Sequence, residues 1–303
     1  MKRVLVAGST GYLGRFIIQN LIAKNIRPVA LARSLGKLEE FQADINIFEA
    51  QVTNAASLIN CCDGVDVVIS SLGITRQQDG LSYMDVDYQS NSNLLIEAKR
   101  SGVKKFIYVS ALHGDKLKQL KIFEAKEKFV KELSESGVDY CVVRPTGFFS
   151  DMTEFYKMAD NGRVYLFGQG EYQSNPIHGD DLAKVCIDSI ANIEKEVLVG
   201  GPEVFTQVEL AKVAFDAVGK PVRITFIPHW IRILLLTLCK FCLSAKRSGP
   251  IEFFLSVLVM DMNAPKFGVQ TLSRYFQSLN EKKVHNKVIK SLQIQVGDIA
   301  KKK

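Results

Sequence analysis

Short apolar runs alternate with longer amphipathic segments along the first 145 residues of the chain. The runs RVLVA, PVALA, DVVIS, KFIYVS and DYCVV are almost continuously apolar, which is typical of strands buried on both faces. Segments such as YLGRFIIQNLIAK, with the 3.6-residue period of a helix, lie between them. This alternation predicts right-handed βαβ units, and therefore an α/β fold with a doubly wound parallel sheet.

The pattern changes in the second half of the chain. GRVYLFGQGEYQ predicts a hairpin-rich excursion, DDLAKVCIDSIAN predicts a helix, and EVLVGGPEVFTQVELAKVAFDAVGK predicts a strand, a turn and a helix that ends near Gly219. No internal repeat or low-complexity linker separates the halves. We therefore expect a parallel-sheet core over residues 1–150 and a smaller C-terminal lobe over 151–281, which returns elements to the core and is not an independent domain.

Two stretches between residues 227 and 262 are the most apolar of the chain. The first, IPHWIRILLLTLCKFCL, is shorter than the about 20 apolar residues of a membrane span and contains Arg232 and Lys240. The second is IEFFLSVLVMDM. We expect both to pack over the core and form one wall of a pocket. The alternatives are contact with a membrane surface, self-association or contact with another protein.

The positive charge of the protein is concentrated in its last residues. Of the formal net charge of +7, residues 282–303 carry +6, from seven lysines and Asp298. The rest of the chain has no array of basic and aromatic residues, so we expect no nucleic-acid binding. The basic tail suits a contact with an acidic partner or anionic lipid.

The amino terminus and the cysteines point to the cytoplasm. MKRVLVAG begins a strand almost at residue 1, which leaves no room for a signal peptide, and the six cysteines do not form a disulfide framework. The four histidines are scattered at 113, 178, 229 and 285, so we expect no metal site. The sequence thus predicts a cytoplasmic protein, with peripheral membrane contact as an option.

A glycine-rich turn follows the first predicted strand. VLVAGSTGYLGRF places Gly8, Gly11 and Gly14 between a strand and an amphipathic helix. In this context glycines permit a tight turn, close approach of a pyrophosphate, and packing of the helix on the strand. The anion then lies on the N-terminus of the helix, where free N–H groups and the helix dipole favour it. The motif predicts a dinucleotide site.

The end of the second predicted strand indicates which dinucleotide. NAD-binding proteins usually have an acidic residue there, which binds the ribose 2′-hydroxyl. Here Arg33 takes that place, with Lys37 one turn later. A guanidinium complements a 2′-phosphate, so we expect NADP(H) to be preferred over NAD(H). The alternative is that Arg33 is an ordinary solvated residue.

Several motifs along the chain resemble one family of proteins. They resemble the atypical, extended-type short-chain dehydrogenases/reductases with their NmrA-like members, over nearly the whole chain. The later motifs, among them FGQGEYQSNPIHGDDLA and APKFGVQTLSRYF, look most similar to divinyl (8-vinyl) chlorophyllide reductases and their relatives. The motifs that carry the likeness to the family are GSTGYLG, ISSLG (69–73), KFIYVSA (105–111), VVRPTGFF (142–149) and NPIHGDDLA (175–183).

This resemblance implies a Rossmann fold with a C-terminal substrate lobe, and roles for individual residues. It implies that Lys126, which contacts the nicotinamide ribose, and the active-site serine Ser110 are catalytic. The implied cofactor contacts are Gly8, Thr10, Gly11, Tyr12, Leu13 and Gly14 at the pyrophosphate, Arg33 at the 2′-phosphate, Ser71 and Leu72 along the cofactor, and Lys126, Pro145, Thr146 and Phe148 near the nicotinamide.

The segment KIFEAKEKFV departs from the family pattern Tyr-x-x-x-Lys, because Ile122 stands where the tyrosine is expected. Hydride transfer is the cofactor's chemistry, and the tyrosine usually supplies the proton. Three explanations stay open. Lys126 shifts toward neutrality and acts as the acid or base; Ser110, His113, Tyr88 or a water donates; or the protein binds NADP(H) without catalysis.

Other polar residues near these motifs have ordinary structural interpretations. Lys126 lies in the Lys/Glu-rich segment EAKEKFVKEL, where a solvated position is the alternative. We expect His178 to cap or order the turn before a helix that begins near Asp180. Asp85 and Asp87 are expected to be capping and surface residues rather than paired catalytic acids.

These observations favour an NADPH-dependent oxidoreductase that reduces an apolar or conjugated small molecule. The substrate wall at 227–262 would suit a vinyl-tetrapyrrole-like or isoprenoid-like compound. The alternative is a catalytically silent NADP(H)-binding protein with a regulatory, redox-sensing or assembly role. The fold alone does not distinguish the two.

Overall fold

The computed structural model of the chain describes residues 2–74, 80–243 and 245–284. The strands are β1 (Val4–Ala7), β2 (Val29–Ala32), β3 (Asn46–Glu49), β4 (Val67–Ser70), β5 (Lys105–Val109), β6 (Asp139–Pro145), β7 (Val164–Phe167), β8 (Gln173–Ser174), β9 (Glu196–Val199), β10 (Phe205–Thr206) and β11 (Ile224–Ile227). The helices are α1 (Tyr12–Ala23), α2 (Ser90–Arg100), α3 (Lys121–Glu135), α4 (Thr153–Asp160), α5 (Gly179–Asp188), α6 (Gln207–Val218), α7 (His229–Cys242) and α8 (Ala245–Val257). A further helix covers 272–284, and a π-helical turn, Met84–Gln89, leads into α2.

Seven parallel strands form the main sheet, in the order β3-β2-β1-β4-β5-β6-β9. The chain winds outward from β1 to β3, then returns to the other side of β1 and continues from β4 to β6. This confirms the predicted doubly wound α/β fold. The direction of winding reverses between β1 and β4, and open parallel sheets bind ligands in the crevice outside such a reversal.

Both faces of the sheet are covered, which explains the continuous apolar runs of its central strands. On one face Val4 and Val6 pack with residues of α1 and α5. On the other face Leu5 and Ala7 pack with residues of α2 and α3. Successive side chains of a strand point to opposite faces, so every position of β1 is apolar and buried.

A second core lies in the C-terminal half, where α4, α6, β7 and the helix over 272–284 meet. The hairpin predicted for GRVYLFGQGEYQ is wrong. Instead, β7 pairs in parallel with β11, and β8 pairs antiparallel with β10. Both partners come from chain that follows α5, so the local pattern of one segment could not reveal them. β9 joins the main sheet beside β6.

Helix α6 ends where the sequence predicts, and both of its ends are encoded locally. Thr206 and Glu209 form a capping box at its start. Gly219 ends it in the left-handed region, at a φ of 66°. The prediction that a helix ends near Gly219 is therefore confirmed.

The expectation that 227–262 packs over the core is right for α8 and wrong for α7. In α8, Leu255 is buried, and the Phe253 ring lies 5.7 Å from that of Phe123 on α3. In α7 the Arg232 guanidinium faces inward and donates to the carbonyl of Leu255 at 3.2 Å. The apolar face that was expected to be buried is exposed, and its residues are Trp230, Ile233, Leu234, Leu238 and Phe241.

Periodicity indicates that α7 has an apolar face, but it cannot say which face a neighbouring element covers. Within the described ranges, no helix has both the length and the apolar character needed to cross a bilayer. The basic tail predicted for 282–303 lies outside the described residues from 285 onward.

Candidate functional site

The glycine turn between β1 and α1 leaves no room for side chains. Gly8 has a φ of 78°, and a Cβ there would lie 2.7 Å from Ser71 Oγ. A Cβ on Gly14 would lie 2.1 Å from the Gly8 carbonyl oxygen. These two glycines let α1 pack directly against the turn, at the reversal point of the sheet.

The N-terminus of α1 is open to an anion. Gly11 is its N-cap with extended backbone (φ −79°, ψ 173°), and a glycine has no side chain to occupy the free N–H groups. The first turn contains no acidic residue that would repel an anion. The cradle therefore fits the diphosphate of a dinucleotide, as the sequence motif predicts.

The residues that follow Gly11 have different surroundings. The hydroxyl of Tyr12 accepts from the Gly179 N–H at 3.1 Å, and its ring lies 5.8 Å from that of Phe148. Burial raises the pKa of Tyr12, so the phenol stays neutral. The Leu13 side chain is buried in the core, so only its backbone faces the turn. The structure thus brings Tyr12 and Phe148 together.

A polar cleft of about 450 Å³ opens between the start of α1 and the segment after β2. Its lining includes Thr10, Arg15 and Lys37. Arg15 donates to the carbonyl of Lys37 at 2.7 Å and pairs with Glu40. Arg33 is exposed at the carboxyl end of β2. Arg15 was not predicted as a site residue, although the motif has this basic residue directly after its third glycine.

The carboxyl end of β4 is hydrogen-bonded to that of β1. The Ser71 N–H and hydroxyl both bond to the Ala7 carbonyl, at 3.0 and 3.1 Å. Leu72 packs partly buried against the core on the α2 and α3 side. A Cβ on Gly73 would lie 2.7 Å from Asp87 Oδ1 and 2.9 Å from Lys126 Nζ. The chain therefore passes immediately over a pair of buried charges.

This pair joins Lys126 of α3 to Asp87 of the π-helical turn. The two atoms, Lys126 Nζ and Asp87 Oδ1, are 2.8 Å apart, and the Asp87 side chain is fully buried. The second carboxylate oxygen accepts from the Ile74 N–H at 3.2 Å. The surface position expected for Asp87 is wrong, and so is the solvated alternative for Lys126. Asp85 does act locally, because it accepts from the Ser82 N–H at 2.8 Å.

The charge state of the pair follows from its geometry. Burial lowers the pKa of Lys126, but its interactions with Asp87 and Tyr108 together outweigh burial, and the pKa is raised above its ordinary value. Burial raises the pKa of Asp87, with the Lys126 ammonium acting against it. At this distance the shared proton stays on the amine, which is the stronger base. The geometry therefore argues against the option in which Lys126 is neutral.

Two buried phenols and an isoleucine surround the pair. Tyr108 is fully buried on β5, its ring centroid lies 5.7 Å from Lys126 Nζ, and its hydroxyl has no hydrogen-bond partner among the described residues. Burial, reinforced by the charge of Asp87, raises the pKa of Tyr83 to about 12. Ile122 lies in the same apolar cluster as Tyr83. The position of the missing tyrosine is thus filled by close hydrophobic packing.

Ser110 belongs to a different network, at the carboxyl end of β5. Its hydroxyl lies 3.2 Å from Arg144 Nη1 and 3.3 Å from Glu127 Oε1. Arg144 and Glu127 form a buried bidentate pair, with Arg144 Nη2 2.9 Å from Glu127 Oε2, and Arg144 also pairs with Glu196. The network ties α3, β6 and β9 together. The catalytic role of Ser110 stays a prediction.

The carboxyl end of β6 brings the remaining predicted residues to the same edge of the sheet. Pro145 is buried, and the Thr146 hydroxyl donates to the Asn175 carbonyl at 2.6 Å. Nearby, His178 Nδ1 accepts from the Asp180 N–H at 3.2 Å and caps α5, as predicted. The other suggested donors are engaged elsewhere. The ring centroid of Tyr88 lies 4.1 Å from Lys128 Nζ, and His113 Nε2 lies 3.3 Å from the Asp261 carbonyl oxygen.

Comparisons with known proteins agree with this geometry. Residues 8–193 match a family model described as NAD(P)H-binding. The divinyl chlorophyllide a 8-vinyl-reductase of Arabidopsis thaliana is 32% identical over 251 residues, which cover 74% of this chain and 60% of that protein. The chain therefore matches less than two thirds of that relative. The photosystem II assembly factor Ycf39 of Synechocystis is 27% identical over 252 residues, which cover 79% of this chain and 74% of that protein.

A solved structure shares the fold. An NADPH-dependent quinone oxidoreductase of Escherichia coli, complexed with NADPH, superposes with a TM-score of 0.71 at 19% identity, over 91% of this chain and 99% of that one. Identity this low shows likeness of fold alone. The family match covers more than half of the chain and includes the glycine turn and the Lys126 site. The chain therefore belongs to the NAD(P)H-binding family, among the NmrA-like atypical short-chain dehydrogenases/reductases.

Proposed function

We propose that the protein is an NADP(H)-dependent reductase that transfers hydride to an apolar or conjugated small molecule. The observation that carries the proposal is the buried Lys126–Asp87 pair, directly below Gly73 at the carboxyl end of the sheet. A buried charge pair beside a ligand crevice is costly to maintain and is typical of functional sites. The names of the vinyl reductase and the quinone oxidoreductase among the similar proteins agree with this activity.

The chain has suitable groups for each part of the cofactor. The turn at Gly8 and the free N–H groups of α1 receive the diphosphate. Arg15 and Lys37 line the cleft beside α1 together with Glu39 and Glu40, and Arg33 is exposed at the carboxyl end of β2. These three basic groups would attract a 2′-phosphate. When bound, the cofactor supplies the hydride.

Lys126 acts in this proposal as a fixed positive charge. Asp87 keeps it protonated, which makes it a poor proton donor and a good electrostatic partner. The ammonium lies 2.8 Å from Asp87 Oδ1 and carries three N–H groups, so it would also be able to donate to a ribose hydroxyl or an acceptor oxygen. The ammonium would stabilise the negative charge that develops on the acceptor as hydride arrives.

This role explains why Ile122 replaces the tyrosine. A conjugated acceptor delocalises the added charge, so that water can complete the protonation afterwards. At position 122 the cluster beside Lys126 has an apolar side chain where the family has a tyrosine, and the Tyr83 and Tyr108 phenols near the pair are buried. These surroundings support a conjugated or apolar acceptor over a simple carbonyl that needs a general acid.

The test is turnover of NADPH with a panel of quinones, enones and vinyl-substituted tetrapyrroles. Lys126→Met should lower kcat/KM by at least about tenfold, equivalent to roughly 1.4 kcal/mol of transition-state stabilisation. Lys131→Met is the matched control, because that lysine lies on the same helix with its side chain 76% exposed, and it should leave turnover unchanged. Removing Lys126 alone leaves Asp87 unpaired, so the double variant Lys126→Met/Asp87→Asn is also measured. A folded double variant with wild-type kcat/KM contradicts the proposal.

A second candidate is an NADP(H)-binding assembly or regulatory protein without turnover. It is favoured by the similarity to Ycf39, which is named as an assembly factor, together with the absence of a phenol at position 122. Tight NADPH binding, measured by titration, with no oxidation across the whole panel would support this candidate over the reductase.

A further inference from the structure

The outward face of α7 carries a stripe of exposed apolar side chains. Its large side chains recur at the spacing of one helical stripe. Phe241 is 86% exposed and Trp230 is 64% exposed. Scattered exposed apolar residues are ordinary on a protein surface, but a contiguous stripe of them marks a binding face. The stripe consists of Trp230, Ile233, Leu234, Leu238 and Phe241.

The same part of the chain carries only positive charge. No acidic residue occurs between Asp216 and Glu252. The segment is therefore attracted to a negatively charged surface such as that of anionic lipid. The basic residues of this segment are Lys220, Arg223, Lys240, Lys246 and Arg247, together with Arg232, whose guanidinium faces inward to the Leu255 carbonyl.

Charge and length together identify the partner. We propose that α7 lies in the plane of an anionic lipid bilayer, with its apolar stripe inserted at the level of the headgroups. Its 14 residues span about 21 Å, which is short of the roughly 30 Å of a hydrocarbon core, so the helix lies on the bilayer instead of crossing it. A second copy of the chain fits the face less well, because a symmetric contact would bring two purely basic segments together.

The inferred orientation brings the bilayer close to the candidate site. α7 contacts α8, and α8 packs through Phe253 on Phe123 of α3, the helix that carries Lys126. An apolar acceptor dissolved in the lipid would therefore have a short path to the site. This last point rests on the proposed function, whereas the binding of lipid does not.

The single tryptophan of the chain, Trp230, lies on the stripe and reports on it directly. Full-length protein is mixed with vesicles of phosphatidylcholine alone, or of phosphatidylcholine with phosphatidylglycerol. With the anionic vesicles we expect the protein to sediment, the Trp230 emission to shift to the blue, and a lipid-borne quencher to suppress it. High salt should weaken binding, because it screens the basic residues.

Variants separate the stripe from other sources of binding. The triple change Leu234→Gln, Leu238→Gln and Phe241→Gln should reduce partitioning at least about tenfold. The matched control is Ile193→Gln, because Ile193 is 90% exposed and lies outside α7, and it should behave as wild type. All these side chains are exposed, so the circular dichroism melting temperature should not change.

Three results would overturn the inference. One is protein that stays in the supernatant with anionic vesicles. The second is sedimentation without any change in Trp230 emission, since binding would then come from another part of the chain. The third is a blue shift that depends on protein concentration without lipid and accompanies a dimeric mass, which would assign the face to a second copy. NADPH oxidation is measured separately, so failure of the reductase proposal remains distinguishable.

Discussion

Replacing Asp87 by asparagine tests the buried charge pair most directly. The change keeps the size of the side chain and removes the negative charge that faces Lys126 Nζ at 2.8 Å. Lys126 is about 9% exposed and Asp87 is fully buried, so water can replace little of the lost interaction. Removing one partner of such a pair typically costs about 3–5 kcal/mol, because it leaves an uncompensated buried charge. We expect Asp87→Asn to lower the free energy of unfolding at pH 7 by that amount.

The loss of unfolding free energy caused by Asp87→Asn should shrink as the pH rises. Without Asp87, burial is the main influence on Lys126 and lowers its pKa below 10.5, its value in the unfolded chain. The unfolded variant then binds more protons than the folded one, so its free energy of unfolding increases with pH. In the wild type the pair raises the pKa of Lys126, and the corresponding stabilisation is lost only as the pH rises through that raised pKa.

Urea unfolding followed by far-ultraviolet circular dichroism, at pH 7 and at pH 9.5, measures both effects. Glu135→Gln is the matched control, since it removes the exposed partner of Lys131 and should change stability by less than about 0.5 kcal/mol. The double variant Lys126→Met/Asp87→Asn should recover most of the loss, because it leaves no buried charge unpaired. A loss below about 1 kcal/mol for Asp87→Asn, equal at both pH values, would refute the reasoning.

Three further predictions concern the cofactor site and the missing tyrosine. Arg33→Ala and Arg15→Ala should each reduce the preference for NADPH over NADH by on the order of 1–3 kcal/mol, the value of a guanidinium contact with the 2′-phosphate. Cofactor titrations in which both variants keep the wild-type preference would exclude these contacts. Gly11→Val should abolish NADPH binding, measured by calorimetric titration, and spare the fold. Gly14→Val should destabilise the fold, measured by thermal melting, because a Cβ at Gly14 would lie 2.1 Å from the Gly8 carbonyl oxygen. Ile122→Tyr should bring no gain in kcat/KM and should lower the free energy of unfolding by about 1–3 kcal/mol through overpacking, so faster turnover would contradict the proposed role of Lys126.

Local rules account for the parts of the protein that could be predicted from sequence. The central strands of the main sheet follow from their apolar runs, since strands buried on both faces need apolar residues at every position. The glycine turn follows from backbone geometry, because positive φ and close approach exclude other residues at Gly8 and Gly14. The ends of α6 follow from its capping box and Gly219.

The charge pair was partly visible in the sequence as well. Lys126 is in line with Ile122, Phe129 and Leu133 on the buried stripe of α3. Asp87 is in line with Asn91, and then with Leu94 and Ala98, along α2. A charge within the apolar stripe of a helix has to find a partner, so two such charges of opposite sign on neighbouring helices could have been paired before the structure was known.

By itself, the sequence determined the α/β class, the five central strands of the sheet, the glycine turn and the apolar character of α7, since each of these depends on residues that are close along the chain. Only the tertiary structure decided which elements meet. It paired β7 with β11 instead of with its neighbour, buried Asp87 against Lys126, placed Ser110 in the Arg144 network, and left the apolar face of α7 exposed. The physical reason is that periodicity specifies which side of an element avoids water, whereas the partner that covers that side depends on the packing of chain segments far apart in sequence.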